Sequence, residues 1–197
     1  EIVRERTGAR VGWSVASRAF ETRPGAEEVR RRLEYVWEDL YLEAAANDDY
    51  IGVQAYSAQW VGLDGIEPHP VHPDNTLVRT AYRPDALGIA VRHTADVLPN
   101  VPVVVTENGI ATGDDTRRIA YTESALAALA DVMADGIDVR GYIHWSLLDN
   151  YEWGHWSPTF GLVAVDRETF ERQPKPSLAW LGGYATTQRS TGVGAAS

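Results

Sequence analysis

The chain has 197 residues, 44% of them hydrophobic, enough for one globular domain of ordinary size or for part of a larger one, and too apolar for a disordered tail. Its formal charge of −10 excludes a general affinity for nucleic acid or anionic membrane, because neutralising phosphate takes clustered Lys and Arg. Without a cysteine there is no disulfide framework, no thiolate metal site and no Cys nucleophile.

No apolar run nears the roughly 20 residues that span a bilayer, and the opening Glu-Ile-Val-Arg-Glu-Arg lacks a signal-peptide pattern. The chain therefore reads as soluble and cytoplasmic. It opens on Glu rather than Met, which points to a start inside a longer gene product.

Residues 10–16, RVGWSVA, are short and Val-rich and read as a buried strand, followed by an Arg-Pro-Gly turn at 23–25. From 26 to 47, Val29, Leu33, Val36, Trp37, Leu40, Tyr41 and Ala44 recur at offsets of three and four, the pattern of an amphipathic helix. YIGVQAY at 50–56 is a second strand. It opens a connection to about Tyr82 with three prolines and almost no periodicity, a length that is usually functional or disordered.

Pro84 suits the first turn of a helix, whose face is Leu87, Ala90, Val91, Thr94 and Leu98 before Pro99 stops it. VPVVVT at 101–106 is the third strand. Ile119, Thr122, Leu126, Leu129, Val132 and Met133 mark another helix, closed by Gly136, and VRGYIHW at 139–145 is the fourth strand. A short helix spans about 176 to 182, so that residues 1–185 form one folded unit and 186–197 a small, polar tail. Apolar strands, each followed by a helix or a long loop, indicate α/β architecture with a parallel sheet covered by helices.

Glu107 stands where VPVVVT ends, before the sharp Asn108-Gly109 turn. Functional side chains of (β/α) barrels gather at the C-terminal ends of strands. Position alone suits a structural ion pair or a helix cap equally well. The surrounding sequence separates these readings: TENG at 106–109, WSLLDNYEW at 145–153, FGLVAVD at 160–166 and KPSLAW at 175–180 together resemble family 1 glycosidases, over residues 10 to 185.

That resemblance implies the C-terminal half, strands 5 to 8, of a (β/α)8 TIM barrel of β-glucosidase type, working without a cofactor on a β-glucoside or related small sugar. It implies that Glu107 is the nucleophile that forms a covalent glycosyl-enzyme, and that Tyr56 hydrogen-bonds Glu107 and helps keep it ionised. Trp145 becomes an apolar platform under the sugar, with Glu152 and Trp153 on its outer hydroxyls. The family's Asn-Tyr-Tyr is Gln54-Ala55-Tyr56 here, so the amide that supports the acid/base is one carbon longer. Taken alone, Trp145 and Trp153 suit core packing. Glu152 resists that reading, since a buried unpaired carboxylate is costly.

The histidines at 69, 72, 93, 144 and 155 show no metal-ligand spacing; His69 and His72 read as solvated loop residues and His144 as a packed, hydrogen-bonded one. The family's Asn-Glu-Pro acid/base motif is absent, and Glu67-Pro68, preceded by Ile in a loop, is not its counterpart. The acid/base is then expected from an N-terminal half-barrel chain, or from a second copy related by a two-fold axis, with Asp149 or Glu152 of that copy as the substitute acid. The competing expectation is a catalytically silent half-barrel that at most binds sugar.

Overall fold

The structure, a computed structural model, describes residues 2–191. In chain order it contains helix α1 (Ile2–Thr7), strands β1 (Ser14–Ala16) and β2 (Ala19–Thr22), and helix α2 (Glu27–Glu34), which runs through a π-helical turn at Tyr35–Asp39 into α3 (Leu40–Ala44). Strands β3 (Ile51–Gln54), β4 (Ala58–Gly62) and β5 (Gly65–Glu67) precede helix α4 (Ala86–Val97), strand β6 (Val103–Asn108) and helix α5 (Asp115–Ala134). Strand β7 (Val139–His144), the short strands β8 (Val163–Val165) and β9 (Arg172–Pro174), and helix α6 (Pro176–Thr191) complete it.

The main sheet has the order β1-β3-β6-β7 with every pair parallel, as the apolar strands predict. Alternate residues of the inner strands, Ile51, Val53, Val103 and Val105, pack against Leu87, Ala90 and Val91 of α4 and against Ala125, Leu129 and Val132 of α5. The core therefore lies on the helix side of the sheet. On the open side and at the β7 edge the chain is bare, and Ile143 keeps 55% of its surface exposed. Asp114 caps α5 by accepting the Thr116 N–H at 2.9 Å, and Gly136, at φ 92°, ends that helical segment in a conformation that favours glycine.

Three expectations need correction. The 57–82 connection is not without structure: β4 and β5 form an antiparallel hairpin, and β2 joins β4 in parallel, giving a second, three-stranded sheet. The last helix continues to Thr191, past Gly182, so the expected tail begins helical; residues 192–197 lie outside the described residues.

The third correction concerns the helix at 26–47, whose apolar face the π-helical turn rotates. Val36, Leu40 and Tyr41 of the expected face are exposed, whereas Leu42 and Glu38, which lie off that face, are fully buried. One extra residue in a turn shifts everything after it by about 100°. The Glu38 Oε1 accepts the Arg18 backbone N–H at 2.9 Å, but Oε2 has no partner among the described residues. Burial pushes its carboxyl up to about 8, against the pull of Arg18.

A raised carboxyl contributes stability that is complete below its ordinary value and lost as pH rises through the folded one. We therefore expect the melting temperature of the Glu38→Gln chain to gain on the unsubstituted chain between pH 5 and pH 8. A constant difference across that window in paired melting curves would show that Glu38 does not titrate there.

Candidate active site

The C-terminal ends of the four parallel strands surround a cavity of about 660 Å³. All six residues singled out in the sequence, Gln54, Tyr56, Glu107, Trp145, Glu152 and Trp153, line it. The reason lies in the strands. Val53 pairs with Val105 but Gln54 pairs with Glu107, so a bulge at the end of β6 turns the Glu107 side chain away from the helix-packed core.

There the carboxylate meets two donors. The Tyr56 hydroxyl donates to Oε2 at 2.6 Å and the Gln54 amide to Oε1 at 2.8 Å. Burial, and next the Glu107 carboxylate, push the Tyr56 hydroxyl far above its ordinary range, so it remains a protonated donor at any physiological pH. The Gln54 amide thus spends one of its two N–H donors on Glu107.

A buried network missed in the sequence fixes this arrangement from behind. Asn108 donates to the Ala55 carbonyl at 2.7 Å and accepts from the Tyr142 hydroxyl at 3.0 Å, while Tyr121 of α5 donates to the Tyr56 carbonyl at 2.6 Å. Asn108 reads in sequence as a turn former. Its burial under the β6 end becomes visible only when β3, β6 and β7 are brought together. Gly109 has a comparable reason to lack a side chain, since a Cβ there would lie 2.1 Å from the Trp145 carbonyl oxygen.

Trp145, half-buried at the end of β7, donates its indole N–H to Glu152 Oε1 at 2.9 Å. Glu152 is buried, so this bond supplies the partner a buried carboxylate requires. Glu152 and His155 exchange two backbone hydrogen bonds around a tight turn, with Trp153 at φ 45° and Gly154 at φ 100°. That turn leaves the Trp153 side chain 98% exposed, which excludes core packing for it. Phe160 packs edge-on against Tyr56, with centroids 5.9 Å apart, and also lines the cavity.

Other expectations fare differently. Asp149 is held by Lys175 at 2.8 and 2.9 Å and accepts the Gly161 N–H at 2.7 Å, so its carboxylate serves the local fold and is not free to act as a substitute acid. Glu152 is likewise committed to Trp145. Glu67 ends β5 in an ion pair with Arg23 at 2.9 Å, away from the acid/base role it was denied in sequence.

His72 is exposed as expected, but His69 is not simply solvated: it packs on Trp60 and lines the cavity. His144 is buried, which pushes its pKa down to about 4. Among the described residues no group of three His, Asp or Glu side chains is placed to hold a metal ion.

Comparison with known proteins identifies the family. The family model described as Glycosyl hydrolase family 1 matches residues 43–190. The chain belongs to glycosyl hydrolase family 1.

Within the family it is 35% identical over 163 residues to a thermostable beta-glucosidase B of Thermobispora bispora, covering 74% of this chain and 34% of that protein. It is 41% identical over 133 residues to a bifunctional beta-D-glucosidase/beta-D-fucosidase of Bifidobacterium breve, covering 60% of this chain and 29% of that one. The crystal structure of the beta-glycosidase BGL167 superposes with a TM-score of 0.89 at 42% identity, covering 95% of this chain and 45% of that structure. A beta-glycosidase from Pyrococcus horikoshii gives 0.84 at 27% identity, covering 93% and 50%. The chain thus spans about a third of the curated relatives and half of the solved barrels, and its parallel sheet is the C-terminal half, strands 5 to 8, of a family 1 TIM barrel. Among the described residues no helix is long and apolar enough to cross a membrane.

Proposed function

We propose that the chain carries the nucleophile half of a retaining β-glycosidase acting on terminal β-D-glucosides. The observation that carries this reading is the Glu107 carboxylate, held by Tyr56 and Gln54 in one cavity with Trp145 and Glu152. Glu107 attacks the anomeric carbon, the bond to the leaving oxygen breaks, and the sugar remains as an ester on Glu107 until water displaces it. Tyr56 donates a hydrogen bond that orients the attacking oxygen. Trp145 offers the sugar an apolar face, and Glu152 and Trp153 meet its outer hydroxyls.

Retention needs a second carboxyl about 5 to 5.5 Å from the first to protonate the leaving group. In this reading it comes from the other half of a barrel, since the chain's own nearby carboxylates are engaged elsewhere. That same fact favours a second reading, a half-barrel that binds sugar without turning it over.

The nucleophile is tested with an activated 2-deoxy-2-fluoro-β-glucoside, whose good leaving group dispenses with the acid. The peptide containing Glu107 is expected to gain one sugar mass, and the Glu107→Ala chain none. Labelling of another residue, or of the Ala variant, overturns the assignment.

A further inference from the structure

An irregularity in the main sheet brings a second side chain onto Glu107. β3 and β6 run in parallel register as far as Val53 opposite Val105, and then Gln54 pairs with Glu107, skipping Thr106. The skip sets the Gln54 and Glu107 side chains beside each other in the cavity that both line. Main-chain bonds hold the pair: the Ser17 N–H donates to the Gln54 carbonyl at 2.8 Å, and the Ala55 N–H to the Glu107 carbonyl at 3.1 Å. Each carboxylate oxygen then has its own donor, Gln54 on Oε1 at 2.8 Å and Tyr56 on Oε2 at 2.6 Å.

The two oxygens have different fates. When Oε2 attacks the anomeric carbon it becomes the ester oxygen, a poor acceptor, while Oε1 becomes the ester carbonyl and stays beside Gln54. A hydrogen bond to an ionised acceptor is roughly twice as strong as one to a neutral acceptor. The Gln54 bond therefore weakens as the ester forms and strengthens as charge returns to the carboxylate. It favours the free carboxylate over the ester, which holds back attack and assists release of the sugar.

We propose that Gln54 is a positioning residue for Glu107, fixing Oε1 and making the carboxylate a better leaving group, so that its effect falls on discharge of the glycosyl-enzyme. This rests on the assignment of Glu107 as the nucleophile above.

The test follows the sugar mass on the Glu107 peptide through two steps, neither of which needs an acid/base. With dinitrophenyl 2-deoxy-2-fluoro-β-glucoside, a Glu107 oxygen bonds the anomeric carbon, and dinitrophenolate leaves with the electron pair of the broken bond. Once excess reagent is removed, added azide attacks the same carbon. The ester bond breaks, its electron pair returns to Glu107, and a glycosyl azide is released.

Gln54→Met removes the amide while keeping the side chain's length. Glu107 carries similar partial charge in the two transition states, so the ratio of discharge rate to labelling rate reads how much more strongly Gln54 bonds a carboxylate than an ester. That ratio is expected to fall roughly tenfold in Gln54→Met. Simple loosening of the site slows both steps alike and leaves the ratio unchanged, and misfolded chains lower the labelled fraction without altering either rate. In the unsubstituted chain, the Gln54 side-chain N–H resonance should move upfield on labelling, because its acceptor loses charge.

An unchanged ratio, or a resonance that labelling leaves in place, overturns the role of Gln54 while labelling of Glu107 still upholds the nucleophile. If the unsubstituted chain gains no sugar on Glu107, the nucleophile assignment fails and the role of Gln54 falls with it.

Discussion

Combining this chain with the N-terminal half of a family 1 barrel is expected to raise turnover of a β-linked disaccharide by roughly 100- to 10,000-fold, the usual contribution of general acid/base catalysis. For a dinitrophenyl β-glucoside, whose leaving group needs no proton, the gain should be far smaller. The contrast follows from the site, because Glu107 has its supporting donors within the chain while, among the described residues, no uncommitted carboxyl lines its cavity.

The surface agrees with the site. Trp13, Val36, Trp37 and Tyr41 line a groove of about 370 Å³ beside β1, the strand at one open edge of the sheet, and Ile143 and Leu147 stand exposed at the other edge, along and beyond β7. Exposed apolar side chains beside unpaired strand edges invite association. Alone, the chain should therefore self-associate. Co-expression with the N-terminal half of a structurally similar beta-glycosidase, followed by light scattering and parallel assays of both substrates, checks this. A folded, soluble monomer near 21.7 kDa that gains nothing from the added half would exclude it.

The parallel sheet was legible because its strands are short apolar runs separated by helical periodicity, and the site because TENG and WSLLDNYEW fall at strand ends. What escaped has identifiable physical causes. The β4–β5 hairpin hid in a proline-rich stretch, although Asp64-Gly65, with Gly65 at φ 119°, is a recognisable hairpin signal. The π-helical turn at Tyr35–Asp39 has no sequence signature, and without it a regular 3.6-residue period turns Leu40 inward and Glu38 outward. Asn108 and Tyr121 look like a turn residue and a helix aromatic until the fold brings them together under Tyr56. Resemblance likewise named Gln54 as a site residue, but only geometry put its amide on Glu107.

The same kind of long-range assembly governs stability around the cavity. Asp115, in the first turn of α5, accepts the Ser177 backbone N–H at 2.7 Å and the Ser177 hydroxyl at 2.8 Å, joining α5 to the start of α6. It also pairs with Arg118 at 2.5 Å. Arg118, 1% exposed, donates in turn to the carbonyls of Thr112 and Thr159 at 2.7 and 2.9 Å.

Removing the carboxylate leaves a buried guanidinium without its counterion, a loss of about 3 to 5 kcal/mol in comparable pairs. Asp115→Ala should therefore lower the melting temperature by roughly 6 to 20 °C, taking about 2 to 4 °C per kcal/mol for a chain of this size. Burial alone would raise the Asp115 pKa, but the bonds from Ser177 and Arg118 outweigh it and hold the carboxyl below its ordinary value. A depressed carboxyl contributes stability that is complete above the ordinary value, about 3.9, and lost as pH falls through the folded one.

The gap between the two chains should thus be full at pH 6 and shrink below about pH 4. Paired thermal melts across that range decide it, and a gap under about 2 °C at pH 6, or one unchanged by acid, would sink the argument. Because Thr159 adjoins Phe160, which packs on Tyr56, the substitution should also loosen the wall behind Glu107 and slow its labelling by the fluoro-glucoside, although Asp115 itself does not line the cavity.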